Sequence, residues 1–408
     1  MKVFCLLFFL WGSVLQAKVV VSEMDLLKAV HAPVLMQRQG LGVAQVSPAQ
    51  ESLLIQEAHK KRRCGGFTAL DLSAAGAQSF SARVKSSAMK FFSQLSSLKK
   101  KEQRYLLHRS SFQASFLNKQ PQPKIQQAIK KLKVQEIQNW VEWFSAFPSR
   151  YHRLPTANDP IKALKKRLEA LASTVSYPVR VDLITHQNTP QMSLRVHIEG
   201  STRPSEIVVL GGHVDSINMW QGPSGRAPGA DDNASGSAVL LETLRVLLSQ
   251  GQPQRSVEFF WYAAEEVGLV GSKEIAQQYR SQGKDVVAVL QLDMTLHPGA
   301  GENVIANVGD YTSAWLRDYL VELNQLYVGA ELIEEKCGYA CSDHASWYMQ
   351  GFPTVMPFES DKRGMNRRIH SSKDVINAQS SFMHALSFAK LALSYAMDLS
   401  NSLRRQPY

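Results

Sequence analysis

Beyond its first 17 residues, the sequence contains no apolar run long enough to cross a bilayer, so no later membrane span is expected. It has only four cysteines among 408 residues, and it shows no internal repeat. The hydrophobic fraction of 44% and the charged fraction of 20% are ordinary for a globular protein. The composition therefore predicts a sizeable core and argues against global disorder.

Residues 1–17 have the pattern of a signal peptide. Lys2 precedes an apolar stretch from Val3 to Trp11, and small or polar residues follow up to Ala17. An uncleaved membrane anchor is the alternative, but the apolar stretch is shorter than the ~20 residues that a span needs. We expect cleavage after Ala17, export to the periplasm or the outside of the cell, and no stable membrane anchor.

Residues 18–124 carry the charge excess of the chain. They hold 17 Lys and Arg against 6 Asp and Glu, whereas residues 125–408 are close to neutral. A basic segment raises the possibility of nucleic-acid binding, but this one lacks interleaved aromatics and recognisable binding motifs, so no nucleic-acid partner is expected. It ends in a polar, proline-broken stretch typical of a linker. The segment is therefore predicted to be a pro-region released by a processing protease, with a permanent accessory domain as the alternative.

Residues 125–408 are predicted to form one catalytic domain. Helical periodicity runs from Ile125 to Ala172, and strands alternate with helices from about Val179. The clearest strands are the largely apolar segments at residues 206–210, 257–262 and 286–292. This alternation favours a three-layer α/β/α fold with a mixed, largely parallel central sheet.

Polar residues follow each of these strands, where open α/β sheets place their ligands. Others lie in the loop before a predicted helix and late in the chain. The candidates are His213, Asp215, Asp231, Asp232, Glu265, Glu266, Asp293 and His370. Each alone has an ordinary structural alternative, such as helix capping by the paired aspartates. Together they form an N,O ligand set without thiolate, which suits Zn²⁺ or a similar divalent ion.

Six segments resemble the secreted bacterial leucyl aminopeptidases, a co-catalytic dizinc peptidase family. They are GGHVDS, APGADDNASG, YAAEEVGL, LQLDMT, CGYACSDHASW and RIH. The resemblance covers roughly residues 125–400 and implies the zinc exopeptidase type of the fold. It implies a metal-dependent aminopeptidase that removes the first residue, preferably an apolar one such as leucine, from peptides with a free amino end.

The resemblance also implies the metal ligands. Two zinc ions per chain would be held by His213, Asp231, Glu266, Asp293 and His370. Asp231 would bridge the two ions, and the peptide bond between Asp231 and Asp232 would be cis.

Three further residues receive roles from the same resemblance. Glu265 would be the general acid/base, because a carboxylate that is not a ligand must take the proton of the attacking water. Asp215 would orient His213, and Tyr339 would lie near the reacting carbonyl.

The last implied features concern substrate binding. The apolar pocket would be lined by Met294, Met356, Phe358 and Ile369. Lys362 and Met365 stand where aromatic residues are expected, which predicts a more basic and open pocket mouth.

Cys337 and Cys341 are four residues apart, and export favours a disulfide between them, as the resemblance also implies. Cys64 has no evident partner.

Three other functions are compatible with parts of this pattern. A metallocarboxypeptidase on the same scaffold would need a fixed cation for the substrate carboxylate, such as Arg363, Arg367 or Arg368. A metal-dependent glutaminyl cyclase is disfavoured because ligands for two ions are present. A catalytically silent binding protein is disfavoured by the presence of Glu265 beside a full ligand set. We expect a monomer that acts on peptide substrates.

Overall fold

The computed structural model describes residues 17–38, 40–61, 67–70, 72, 79–113 and 120–403. All but the last residue of the predicted signal peptide, Cys64, and residues 118 and 119 at the start of the predicted linker lie outside this part of the chain. The main elements of residues 18–113 are β1 (Lys18–Glu23), α1 (Met24–Ala29), β2 (Val34–Arg38), β3 (Leu41–Val46), α2 (Pro48–Lys60), β4 (Phe67–Ala69) and α3 (Phe80–Gln113). The four strands form an antiparallel sheet in the order β2-β3-β1-β4.

The remaining chain alternates helices and strands, as predicted. Its first part contains α4 (Pro123–Ile129), α5 (Val134–Ser145), α6 (Asp159–Ala172), β5 (Val179–Ile184), β6 (Ser193–Ile198), β7 (Arg203–His213), a π-helical segment (Ala230–Ser235) and α7 (Gly236–Leu248). Its second part contains β8 (Arg255–Tyr262), α8 (Val270–Ser281), β9 (Asp285–Gln291), β10 (Val304–Val308), α9 (Ala314–Tyr327), β11 (Glu331–Glu335), α10 (His344–Met349), β12 (Thr354–Val355), β13 (Pro357–Phe358) and α11 (Phe382–Asn401).

The central sheet has six strands in the order β12-β9-β7-β8-β6-β5. The pairs from β12 to β8 are parallel, and β6 and β5 add an antiparallel edge. All eight residues of β8 are buried, including the polar Arg255, Ser256 and Glu258, and its last four residues form a continuous apolar run, as expected for a strand covered on both faces. The predicted mixed, largely parallel sheet is confirmed.

Helices cover both faces of this sheet. Along β7, Val208 and Leu210 face a core shared with α5, α7 and α11, while Ile207 and Val209 face a smaller core with α8 and α10. The alternation follows from the two-residue period of a strand. The three-layer α/β/α arrangement is therefore confirmed, and the carboxyl ends of β7, β8 and β9 lie at one edge.

The amino-terminal region (residues 18–113) packs against the α/β/α region. Tyr105 of α3 is buried in the larger core, and its hydroxyl donates to Asp318 Oδ2 of α9 at 2.7 Å. Arg109 forms an ion pair with the same carboxylate, and Glu102 accepts a hydrogen bond from Ala314 N at 2.6 Å. None of the helices in the described ranges is both long and apolar enough to span a membrane.

Candidate active site

Five segments bring the chemically active side chains together. His213 ends β7, the Glu265–Glu266 pair follows β8, and Asp293 follows β9, so three neighbouring parallel strands deliver their polar ends to one place. Asp232 enters from the π-helical segment, and His370 from the loop before α11. These side chains are almost fully buried, in agreement with the expected cluster at the sheet edge.

The cluster is organised around the carboxylate of Asp232. Its Oδ1 lies 3.0 Å from His213 Nε2, and its Oδ2 lies 3.0 Å from His370 Nε2. Asp293 Oδ1 lies 3.3 Å from His213 Nε2, and Glu266 Oε2 lies 3.0 Å from His370 Nε2. One carboxylate therefore joins two groups of donors, one with His213 and Asp293 and the other with Glu266 and His370.

The donor atoms are those of a site for divalent cations. Among the described residues, both carboxylate oxygens of Glu265 and Glu266 Oε1 are buried without a hydrogen-bond partner, and Asp232 Oδ2 and Glu266 Oε2 approach only His370 Nε2. Buried carboxylates without partners are costly unless a cation compensates them. Imidazole nitrogens and carboxylate oxygens suit zinc and similar ions. The residues thus fit a metal, as the sequence predicted.

The pKa values in the cluster show how strongly burial acts on these groups. Burial raises the pKa of Glu266 to about 7, and the nearby Asp232 adds to the effect. Burial also disfavours ionised Asp232, but contacts from His213 and His370 outweigh this and hold its pKa below the usual range. Asp232 therefore keeps its negative charge in a buried setting, as a metal-binding carboxylate must.

The prediction that Asp231 lies between the two groups is wrong by one residue in this structure. The Asp231 carboxylate points elsewhere, and it accepts hydrogen bonds from Leu296 N at 3.1 Å and Asn366 Nδ2 at 2.9 Å. The cis peptide bond lies between Asp232 and Asn233 rather than between Asp231 and Asp232. Both adjacent residues depart from helical dihedrals, which turns Asp232 toward the histidines.

Asp215 lies next to the cluster and contacts several of its members. Its Oδ1 accepts a hydrogen bond from Glu265 N at 2.9 Å and lies 3.4 Å from His213 Nδ1. Its Oδ2 accepts from Glu266 N at 3.2 Å. Asp215 therefore contacts both the histidine it was predicted to orient and the backbone that carries the two glutamates.

Comparison with known proteins identifies the group to which this constellation belongs. The sequence model of peptidase family M28 matches residues 194–394. Leucine aminopeptidase 1 of Aspergillus niger is 38% identical over 271 residues, which cover 63% of this chain and 68% of that protein. The chain belongs to peptidase family M28. A probable leucine aminopeptidase of Trichophyton verrucosum is 35% identical and is covered over 77% of its length.

A solved structure extends the likeness to nearly the whole chain. The crystal structure of the aminopeptidase LapA from Legionella pneumophila superimposes with a TM-score of 0.78 at 25% identity, over 95% of this chain and 100% of that one. Membership of M28 and these relatives confirm the prediction of an aminopeptidase-type hydrolase. The two relatives named above are fungal, so the sequence likeness extends beyond bacterial enzymes.

An apolar pocket adjoins Asp293 in the M28 site. Met294, Met356 and Phe358 line it as predicted, together with Tyr339 and Met365. Ile369, the fourth predicted residue, is buried beside Met294, Met365 and Phe358 in one apolar cluster. Lys362 is exposed at the pocket and its Nζ donates to Cys337 O at 2.9 Å.

The loop that carries Tyr339 is closed by a disulfide. Cys337 and Cys341 are bonded, which confirms the predicted pair. Tyr339 and Cys341 pack with Met356, so the disulfide loop forms one wall of the pocket. Tyr339 therefore lines the same pocket as Asp293.

Several residues around the M28 site were not identified from the sequence. Asp374 accepts hydrogen bonds from Asp231 N and Asp232 N, both at 3.1 Å, and Ser342 Oγ donates to Asp293 Oδ2 at 2.6 Å. Arg150 is fully buried under the loop before the π-helical segment. These partners lie far from the motifs along the chain, or carry no pattern of their own. Ser342 alone had a signal, since it follows Cys341 in a recognised segment.

Proposed function

We propose that this M28 protein is a zinc aminopeptidase that removes one apolar residue, such as leucine, from the free amino end of peptides. The observation that carries the proposal is the Asp232 carboxylate, whose two oxygens face two separate groups of buried donors. Such a shared carboxylate is suited to holding two ions side by side.

The ligands fall into two groups, one for each ion. His213 and Asp293 would hold one zinc ion, Glu266 and His370 would hold the other, and Asp232 would contribute to both. When bound, the ions would supply a Lewis acid for the scissile carbonyl and would lower the pKa of a bound water molecule.

Glu265 is the residue that moves the proton. Its backbone is fixed by Asp215, and its carboxylate is buried beside the ligand cluster without belonging to it. Burial raises the pKa of Glu265 well above its usual value, so the side chain is able to hold a proton taken from water and pass it to the leaving amine. Tyr339 lines the adjoining pocket, and we assign to its hydroxyl the stabilisation of the developing negative charge.

The pocket supports the proposed preference for apolar residues. Its walls are largely the side chains of Met294, Met356, Phe358 and Met365. Burying an apolar side chain there is favourable by about 25 cal/mol per Å² removed from water. Because the pocket adjoins Asp293, a side chain seated in it brings the first peptide bond beside the ligand cluster.

The surroundings of the catalytic region support an exported enzyme. The disulfide between Cys337 and Cys341 is of a kind that persists in oxidising compartments. We assign residues 1–17 to a signal peptide and residues 18–124 to a pro-region that a processing protease removes, leaving a monomeric enzyme of residues 125–408.

Replacement of the proposed proton carrier tests this function. Glu265→Gln removes the base but no ligand, so we expect the variant to keep its zinc and to lose at least about a hundredfold in kcat. Glu258→Gln is the matched control, because Glu258 is equally buried on β8 but pairs with His197 in the core. Zinc content and kcat are measured for both. A Glu265→Gln enzyme with zinc retained and near-normal kcat would remove Glu265 from the mechanism.

A further inference from the structure

A fully buried arginine lies beneath the candidate active site. Arg150 follows α5 and lies before the segment that matches the M28 family model. Its guanidinium donates only to main-chain carbonyls in the contacts described. The acceptors are the carbonyl oxygens of Phe144, Val214, Pro228 and Gly229.

Three of these carbonyls belong to the two loops that carry the central ligands, and the fourth, that of Phe144, belongs to α5. Val214 lies between His213 and Asp215, and Nε donates to its carbonyl at 2.7 Å. Pro228 and Gly229 lead into the π-helical segment that bears Asp232. One rigid guanidinium is therefore bonded at once to the chain next to His213 and to the chain that leads to Asp232.

A second set of bonds joins the same two loops. Arg150 N donates to Ser216 Oγ at 3.1 Å, and Ser216 Oγ donates to Ala227 O at 2.7 Å. The fit to Gly229 is close, because a β-carbon there would come within 2.7 Å of Arg150 Nη2. The spacing between the loops thus depends on the size and planarity of the guanidinium.

Burying the charged guanidinium of Arg150 costs free energy. Burial lowers the pKa of Arg150 to about 10, although Asp374, Asp215 and Asp232 attract its charge. A packed apolar side chain would avoid the cost of burying a charge. A planar group with five donors in fixed directions is what four carbonyls from separate segments need, and an apolar side chain supplies none.

We propose that Arg150 is a positioning residue that sets the separation between His213 and Asp232, and through it the metal affinity and ligand geometry of the site. It acts on the ligands through the backbone and does not touch the substrate. The proposal rests on the zinc function proposed above.

Arg150→Lys tests it, because lysine keeps the charge but cannot reach separate carbonyls with a rigid fork. We expect zinc affinity, measured by competition with a chelator, to fall roughly 10- to 100-fold, the range for residues that support metal ligands indirectly. The visible spectrum of the Co²⁺-substituted variant should change, kcat should fall, and KM should change by less than about threefold. Excess zinc should restore part of the activity.

Arg255→Lys is the matched control. Arg255 is equally buried and donates to the carbonyl of Leu399, but it lies at the start of β8, at the opposite end from Glu265. This control should lose thermal stability while keeping the zinc affinity and Co²⁺ spectrum of the unaltered protein. Wild-type zinc affinity and spectrum in Arg150→Lys, or equal losses in the two variants, would overturn the proposal.

If Arg150→Lys does not fold, Ser216→Ala tests the same proposal, because the loss of the Ser216 hydroxyl removes the second connection between the loops. Lower zinc affinity with an altered Co²⁺ spectrum supports the proposal, and unchanged values contradict it. Unaltered protein that binds zinc but cleaves no aminoacyl substrate would contradict the proposed function alone, because the comparison of affinities does not depend on turnover.

Discussion

At the scale of single residues, Asp231 and Asp232 have different surroundings although they are neighbours. Asp232 faces two histidines with its two oxygens, whereas Asp231 is held by Leu296 N and by the amide of Asn366. The surroundings of Asp232 are those of a metal ligand, whereas the hydrogen bonds of Asp231 hold the loop in place. Replacing Asp232 should therefore mainly lower zinc affinity, whereas replacing Asp231 should mainly lower thermal stability.

Asp232→Asn should lower zinc affinity by more than about 100-fold, beyond the range seen for residues that act only on ligands. Asp231→Asn should change zinc affinity by less than about tenfold and mainly lower the melting temperature, because one hydrogen bond to the loop is lost. Chelator competition and thermal unfolding of both variants measure this. The reverse order of zinc affinities would assign the shared carboxylate to Asp231.

The sequence identified most of the candidate site but could not choose between these two aspartates. Both occupy the same motif before the same helix, and only the dihedral angles of Asp232 and Asn233 decide which side chain turns inward. Asp374 and Arg150 were missed for a related reason. Their hydrogen bonds to the site join residues that are 64 to 143 positions apart along the chain, so no short sequence pattern indicates them.

At the scale of elements, burial determined what could be predicted. The central strands were recognisable because parallel strands covered on both faces are rich in apolar residues, as in residues 286–290 of β9. Helix α7 begins only at Gly236, because the π-helical segment extends to Ser235. The four-stranded amino-terminal sheet was not predicted, since its strands are short and partly exposed.

The short helix α10 offers a pH-dependent test of packing. His344 is fully buried, its Nε2 lies 3.1 Å from Asp310 O, and no partner for Nδ1 is found among the described residues. Burial lowers its pKa from 6.5 to about 4. The unfolded chain therefore binds a proton more readily between these values, so the stability from neutral His344 is complete above pH 6.5 and is lost as pH falls toward 4.

His344→Gln should show a shallower decrease in the free energy of unfolding between pH 6.5 and 4 than the unaltered protein does. The difference should be up to about 3 kcal/mol, at about 1.4 kcal/mol per pKa unit. His31→Asn is the control, because His31 is exposed and asparagine tolerates its φ of 50°. Denaturant unfolding across this pH range gives the result, and equal slopes for His344→Gln and the unaltered protein would contradict the assignment.

At the scale of the whole molecule, the amino-terminal region lies against elements that border the site. The ring of Phe67 is so close to Gly268, in the loop after Glu266, that a β-carbon there would lie 3.4 Å away. Asp318 anchors the other side through Tyr105 and Arg109. A cavity of about 540 Å³ lies between the two regions. These contacts support the proposal that residues 18–124 cover the catalytic region until they are removed.

Cleavage between about residues 119 and 130 should then raise activity, and the released segment should inhibit when added back. Inhibition should weaken at high salt, because attraction between surface charges is screened. Asp318→Asn should weaken it further, whereas Asp159→Asn, an equal change of charge at an exposed position of α6, should not. Inhibition constants at low and high salt measure both effects. An intact precursor as active as the cleaved enzyme would contradict the covering role.

The most direct test of the zinc aminopeptidase assignment is the release of leucine from one peptide prepared with a free and with an acetylated amino end. The processed protein is assayed zinc-loaded, after chelation, and after zinc is restored. We predict release of the first residue from the free peptide only, abolished by chelation and recovered with zinc. Equal cleavage of the acetylated peptide, or full activity after chelation with zinc shown to be absent, would contradict the account.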